Sequence, residues 1–333
     1  MNEVNPQVKY TFSRIGIIYS IFSIVSTVLQ ILILNVAQLF SKRNLSVDMQ
    51  IIISSSILYV IGLLVLGIGL SGDKLKFTMM EKHTMKPSAI LKAFCMCYTL
   101  LIASNLIGTV ITTVIGIAKG SPIENPVESL ALETSIPVLF IFTVVCAPIF
   151  EELFFRKFLV DRTIQYGEVP CMLVSGLMFG LFHGNLSQFP YAFTIGAFFA
   201  YIYIRTGRIV YPIILHAIVN FMGSIAGVIV LKAVDYDALM QISITGSEEE
   251  MLNGLLAMFT DRGFLILMIY EVIVITIVII GLVLWILHFK KFRFEVREEE
   301  LPKGNRFATV LGNPGMIAFI AIWLIMIILN TFL

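Results

Sequence analysis

Nine stretches of this chain are apolar for long enough to cross, or nearly cross, a lipid bilayer. They lie at about 15–40, 51–70, 93–117, 136–158, 169–185, 189–204, 209–231, 264–288 and 314–332 of its 333 residues. A hydrocarbon core of about 30 Å takes roughly 20 apolar residues of helix, so the seven longer runs reach or approach that length. The expected fold is all-α, a polytopic transmembrane helical bundle of about 8–9 spans. Composition points the same way: AVILMFWYC make up 58%, only 14% is charged, and mean hydropathy is +0.93. Soluble domains carry roughly a quarter charged residues. A soluble globular protein, a disordered chain and a disulfide scaffold are therefore excluded. A net charge of +1 provides no basic footprint, so no nucleic-acid partner is expected.

Charge sets the orientation. With the N-terminus in the cytoplasm and the spans alternating, 18 of the 23 Lys and Arg fall on the cytoplasmic side. The other five, Lys42, Arg43, Lys119, Lys232 and Arg262, fall outside. The positive-inside rule favours that arrangement. The first run exceeds a signal-peptide core and is followed by Lys42 and Arg43, so it reads as a span rather than a cleaved leader. The inner segment Lys290-Lys291-Phe292-Arg293-Phe294 reads as an anchor to anionic lipid. Two outer loops are acidic: Glu124, Glu128 and Glu133 in one, Asp235, Asp237, Glu248, Glu249, Glu250 and Asp261 in the other. Neither has the alternating carboxylates of a calcium loop. Cys95, Cys97, Cys146 and Cys171 sit inside apolar runs and read as small buried hydrophobes. Cys95 and Cys97, about 200° apart on a helix, cannot face one ion.

The organisation divides into N-terminal spans 1–3 over 1–135, a core of spans 4–7 over 136–231, and the acidic outer loop with the last spans over 232–333. The fifth and sixth runs are short, with barely a loop between them at His183-Gly184-Asn185-Leu186-Ser187-Gln188. Such a pair is either a tight helical hairpin or irregular backbone lining a cavity.

Ionisable groups at membrane depth are costly and usually functional. Here they gather between residues 150 and 220. Glu152 and Arg156 are four apart and share a helix face, as an ion pair needs. Glu151 points about 100° away and has no partner on its own helix. A buried, unpaired carboxylate suits a general base. His183 follows Phe179 by four, and His216 precedes Asn220 by four. Taken singly, each has a structural reading: a cytoplasmic helix end, an interfacial histidine, an interhelical hydrogen bond. Together they make one converging polar site. Glu with His can activate a water, and His with Asn can hydrogen-bond an oxyanion. No Ser or Cys stands in a nucleophile setting, which favours direct attack by water.

Glu-Glu-x-x-x-Arg at Glu151, Glu152 and Arg156, Phe-x-x-x-His at Phe179 and His183, and His-x-x-x-Asn at His216 and Asn220 resemble the three motifs of the CPBP family. That family comprises the type II CAAX prenyl endopeptidases and the Abi-type bacterial membrane proteins of bacteriocin processing and immunity. The resemblance covers roughly a fifth of the chain. It implies an intramembrane endopeptidase in which Glu151 and His183 activate the water and His216 and Asn220 stabilise the oxyanion. Glu152 and Arg156 would be structural or position substrate. It implies a peptide or protein substrate, with a prenylated or membrane-bound one as an option, at the cell membrane of a bacterium or the endoplasmic reticulum of a eukaryote. No cofactor is preferred. The alternative is zinc held by Glu151, His183 and His216, a ligand count that suits an open catalytic site. A non-catalytic immunity or scaffold protein and a proton-coupled transporter remain as other readings.

Depth makes one demand. Glu151 lies about 22 Å below the outer face and His216 roughly 10 Å above the inner one, at 1.5 Å per residue. On the same rise His183 lies about 21 Å from the inner face. The fifth helix must therefore be short, tilted or late to start.

Overall fold

The computed structural model describes residues 6–41, 44–72, 75, 77–123, 125–234, 261–297 and 299–332. Lys42, Arg43, Lys74, Lys76, Glu124 and the acidic stretch with Asp235, Asp237, Glu248, Glu249 and Glu250 lie outside the described residues. Among those described there is helix and no strand. The chain runs α1 (Pro6–Phe40), α2 (Val47–Gly69), α3 (Pro87–Lys119), the short α4 (Pro126–Glu133), α5 (Ile136–Tyr166), α6 (Glu168–Phe182), α7 (Phe189–Thr206), α8 (Val210–Ala233), α9 (Arg262–Lys291), the short α10 (Arg306–Val310) and α11 (Pro314–Phe332).

All nine apolar runs fall on helices. Seven of these are long and apolar enough to cross a membrane, namely α1, α2, α3, α5, α8, α9 and α11. The chain is an integral, multi-pass membrane protein. The fifth run is a shorter apolar helix of 15 residues, α6, and the sixth is the 18-residue α7. Outward faces are apolar: Val28, Ile31 and Leu32 on α1, Val110 and Val114 on α3, and Ile269, Val272 and Ile279 on α9 are all exposed. Side chains of that kind belong against lipid tails rather than water.

α6 lies tightly on α7, which settles the short pair as a hairpin. A Cβ on Gly176 would stand 2.6 Å from the carbonyl oxygen of Phe193, and one on Gly180 2.9 Å from the Phe193 nitrogen. Only glycine permits that approach, the small-residue packing expected between membrane helices. The turn between them is ordered. Gly184 has a φ of +66°, which glycine adopts without strain. Asn185 Oδ1 accepts from the Gln188 backbone N–H at 2.8 Å, and the Gly184 carbonyl accepts from Asn330 Nδ2 of α11 at 2.8 Å. α11 also packs along α1, and α9 along α3, which in turn contacts α7.

α5 is not a uniform α-helix. Two π-helical stretches, Phe140–Cys146 and Leu153–Phe158, bracket one ordinary turn, Ala147–Glu152. A π segment displaces the regular ladder and leaves carbonyls to find other donors, and such segments occur often at functional sites. In the second stretch the Phe154 carbonyl accepts from the Tyr19 hydroxyl at 2.5 Å and the Phe155 carbonyl from Ser175 Oγ at 2.8 Å. The first stretch has a further cause. In π register the Thr143 carbonyl would take the N–H five residues on, which is Pro148, and proline has none. Asn220 Nδ2 donates to that carbonyl instead, at 2.8 Å.

The cysteines are free thiols. Cys95, Cys97 and Cys171 are buried as expected, whereas Cys146 is only partly buried.

Candidate active site

The two adjacent glutamates of α5 behave differently because a helix turns about 100° between them. Glu152 faces inward and is wholly buried, and its Oε2 lies 3.0 Å from Nε of the equally buried Arg156. Its other oxygen, Oε1, lies 2.9 Å from Nδ1 of His216 on α8. A carboxylate can only accept there, so Nδ1 of His216 carries the proton. The other ring nitrogen, Nε2, faces Glu151, whose Oε2 is 3.8 Å away. Glu151 retains 18% side-chain exposure against none for Glu152. It is the accessible carboxylate of the pair.

Aromatic rings hold this arrangement in place. Phe179 meets His183 edge-to-face at 4.8 Å between centroids and His216 at 5.7 Å. Phe199 stacks on His216 from the other side at 5.4 Å. The Arg156 guanidinium lies 4.5 Å above Phe179 and 5.4 Å from Phe199, and its Nη2 donates to the Gly196 carbonyl at 3.3 Å. Cation–π contact is strongest where water is excluded, as here. An ion pair this deep stands only with such extra partners, because two charges lose their hydration together.

His183 sits directly after the last residue of α6. Its Nδ1 is 2.8 Å from the Phe179 carbonyl, which can only accept, so Nδ1 again carries the proton and Nε2 is left with a free lone pair. Glu151 and His216 are both electrostatic neighbours of this ring. α6 therefore delivers His183 to the other groups despite the depth mismatch. It starts at Glu168, after a short helical tail of α5, and is only 15 residues long. Glu168 is buried at that start, paired with Arg205 and with Arg297 at 2.5 Å.

The structure thus joins Glu151, Glu152, Arg156, Phe179, His183 and His216 through direct contacts or near approach. Asn220, one helical turn beyond His216, is tied to Thr143. Five supporting residues had no signal in the motif spacing: Phe199, Gly196, Thr143, Ser175 and Tyr19. A trace of two of them was present, in Pro148 five residues after Thr143 and in Gly176, which lies against Gly196. As for zinc, no group of three His, Cys, Asp or Glu among the described residues is arranged to hold a metal ion. His216 Nδ1 is taken by Glu152 and His183 Nδ1 by a carbonyl. Those contacts leave Nε2 of each ring as the nitrogen a zinc ion would use beside Glu151, and no step below passes through a metal.

Residues 133–222, which contain all seven motif residues, match the family model of the type II CAAX prenyl endopeptidases, Rce1-like. Over that stretch the chain resembles the CAAX protease family. Three relatives are similar to part of the chain. A putative membrane peptidase, YdiL, of Bacillus subtilis is 29% identical over 133 residues, 40% of this chain and 54% of that protein. The membrane-embedded CAAX protease MroQ of Staphylococcus aureus is 28% identical over 127 residues, 36% and 51% of the two chains. CAAX prenyl protease 2 of Homo sapiens is 31% identical over 100 residues, 24% and 30%. The chain thus spans about half the length of the bacterial relatives and less of the human one. No solved structure matches it.

Proposed function

We propose that this chain is a member of the CAAX protease family and a membrane-embedded endopeptidase. It hydrolyses peptide bonds of membrane-associated or lipidated peptides by direct attack of an activated water. The observation that carries this reading is the approach of Glu151 to His216 Nε2 at 3.8 Å, with the opposite nitrogen of that ring anchored to Glu152. The names of the relatives, two of them CAAX proteases and one a membrane peptidase, support the same class of reaction.

In this reading Glu151 takes a proton from water while the Nε2 lone pair of His183 accepts the water's other hydrogen. The hydroxide adds to the scissile carbonyl carbon. The oxyanion receives a hydrogen bond from the second N–H of Asn220, the first being committed to Thr143, and one from His216 Nε2 in its doubly protonated form. Before the water gives up its proton, Glu151, Glu152 and Arg156 with His216 in that form carry no net charge together, which lowers the cost of burying them. Glu151 then returns its proton to the departing amine. Glu152 and Arg156 act as positioning residues, through His216 and through Phe179. Preorganised donors of this kind contribute most where water is excluded.

The test uses purified protein and a substrate captured from membranes by Glu151→Gln and identified by mass spectrometry. Glu151→Gln and His183→Ala should each lower cleavage by about 10²–10⁴-fold, the usual contribution of a general base. Unaltered cleavage by either variant would overturn the reading. Full biological activity of both variants in cells would point instead to a non-catalytic immunity or scaffold role, and gradient-driven solute flux in proteoliposomes to a transporter.

A further inference from the structure

On the far side of α7 from the polar cluster is a cavity of about 340 Å³. That volume is within the range of small-molecule pockets. Gly196 and Phe199 of α7 face Arg156 and His216, whereas Thr194, Phe198 and Tyr201 line the cavity. The remaining wall comes from Leu100 of α3, Trp285 and Phe289 of α9, and the segment after it. The aromatic lining is built rather than incidental. Trp285 stacks on Phe292 at 4.8 Å and 11° between planes, Phe292 meets Tyr201 at 4.9 Å, and Phe198 meets Trp285 at 6.0 Å. The Trp285 indole N–H is satisfied by the Met96 carbonyl at 3.0 Å, so the ring offers the cavity only its apolar body.

The chain past α9 alternates in character. Phe289, Phe292 and Phe294 line the cavity, while Lys290, Lys291 and Arg293 between them are exposed. None of these three cations has an ion pair among the described residues. The nearest described carboxylate in sequence, Glu295, is engaged with Arg205 at 3.0 Å and with Arg297, and Glu168 pairs with the same two arginines. An aromatic slot thus has three unpaired cations interleaved in sequence with its lining, on the side that the distribution of Lys and Arg assigns to the cytoplasm. A ligand that satisfies both parts has a hydrocarbon tail and an anionic head.

We infer that this cavity is a binding site for one anionic phospholipid of the cytoplasmic leaflet, its acyl chain among Trp285, Phe292 and Phe198 and its phosphate on Lys290, Lys291 and Arg293. The site stands on its own geometry and is independent of the peptidase reading. Its occupant bridges α3, α7 and α9, and so braces the outer face of the helix whose inner face carries Phe199.

The experiment is native mass spectrometry of the full chain released from nanodiscs of phosphatidylglycerol and phosphatidylcholine in equal parts. One retained phosphatidylglycerol is expected, with a preference on the order of 100-fold over phosphatidylcholine, since each cation near a membrane surface contributes about a fivefold factor. Lys290→Gln, Lys291→Gln and Arg293→Gln combined should bring that preference close to one while leaving the melting temperature in phosphatidylcholine unchanged. Glycerol phosphate added as the head group alone should not displace the retained lipid. Equal retention of the two lipids by the unaltered protein, or an undiminished preference in the triple variant, would overturn the assignment. Displacement by glycerol phosphate alone would show a surface anion site with no role for the aromatic slot, and would overturn it equally. Because the three cations are exposed, the variant is expected to fold. A melting curve matching the parent's in phosphatidylcholine checks this, and failure of this test leaves the catalytic substitutions at Glu151 and His183 untouched.

Discussion

The carboxylate of Glu152 lies 2.9 Å from Nδ1 of His216 and 3.0 Å from Nε of Arg156, so one buried acid holds a base and a cation at once. Removing one partner from such a pair leaves a stranded charge in a low-dielectric site. Glu152→Leu alone should therefore destabilise the protein by about 3–5 kcal/mol. The double change Glu152→Leu with Arg156→Met should recover much of that loss, because both charges go together. Thermal unfolding in detergent reads the difference. Peptide cleavage should stay low in both variants, since neither anchors His216.

Asn220 and Pro148 are coupled through the Thr143 carbonyl. Asn220→Leu should leave that carbonyl unpaired and cost about 1–3 kcal/mol. Pro148→Ala supplies the missing backbone N–H, so in the Pro148→Ala background the same substitution should cost less. A double-mutant cycle on unfolding free energy measures the coupling. Additive effects of the two changes would contradict the proposed link.

The contact of α6 with α7 has no spare room at Gly176. Gly176→Ala places a Cβ 2.6 Å from the Phe193 carbonyl oxygen, so the helices must part. Overpacking of this kind costs about 1–3 kcal/mol. Parting the helices also moves Phe179, which touches both histidine rings. Cleavage should fall by a larger factor than in a surface control such as Leu173→Ala, assayed at matched amounts of folded protein.

Phe179→Leu keeps an apolar side chain but removes the ring under Arg156 and beside both histidines. Cation–π contact at a desolvated site is worth about 2 kcal/mol. The expected result is a modest drop in melting temperature with a tenfold or greater loss of kcat. An unchanged kcat would show that the ring serves packing alone.

Under the water mechanism, cleavage should persist after exhaustive treatment with a zinc chelator. It should depend on Glu151 to the same degree before and after. Loss of activity on chelation and recovery with added zinc would refute the metal-free mechanism.

Much of the architecture was legible because a bilayer acts on local composition. Apolar runs of sufficient length become helices wherever they occur in the chain, as α1, α2, α3 and α9 illustrate, and the unequal share of Lys and Arg marks one side. Helical spacing likewise put Glu152 with Arg156 on one face, and the side chains meet as that spacing requires. Other features depend on how helices cross, which no local pattern encodes. The contact between Glu152 and His216 joins positions 64 apart. It rests on the glycine-tight approach of α6 to α7, on Phe199 arriving from the neighbouring helix, and on two π-helical stretches that turn α5 on either side of its glutamates. Spacing along one helix decides which side chains share a face. Only the packing of several helices decides that His216 stands between two carboxylates, one buried and one open.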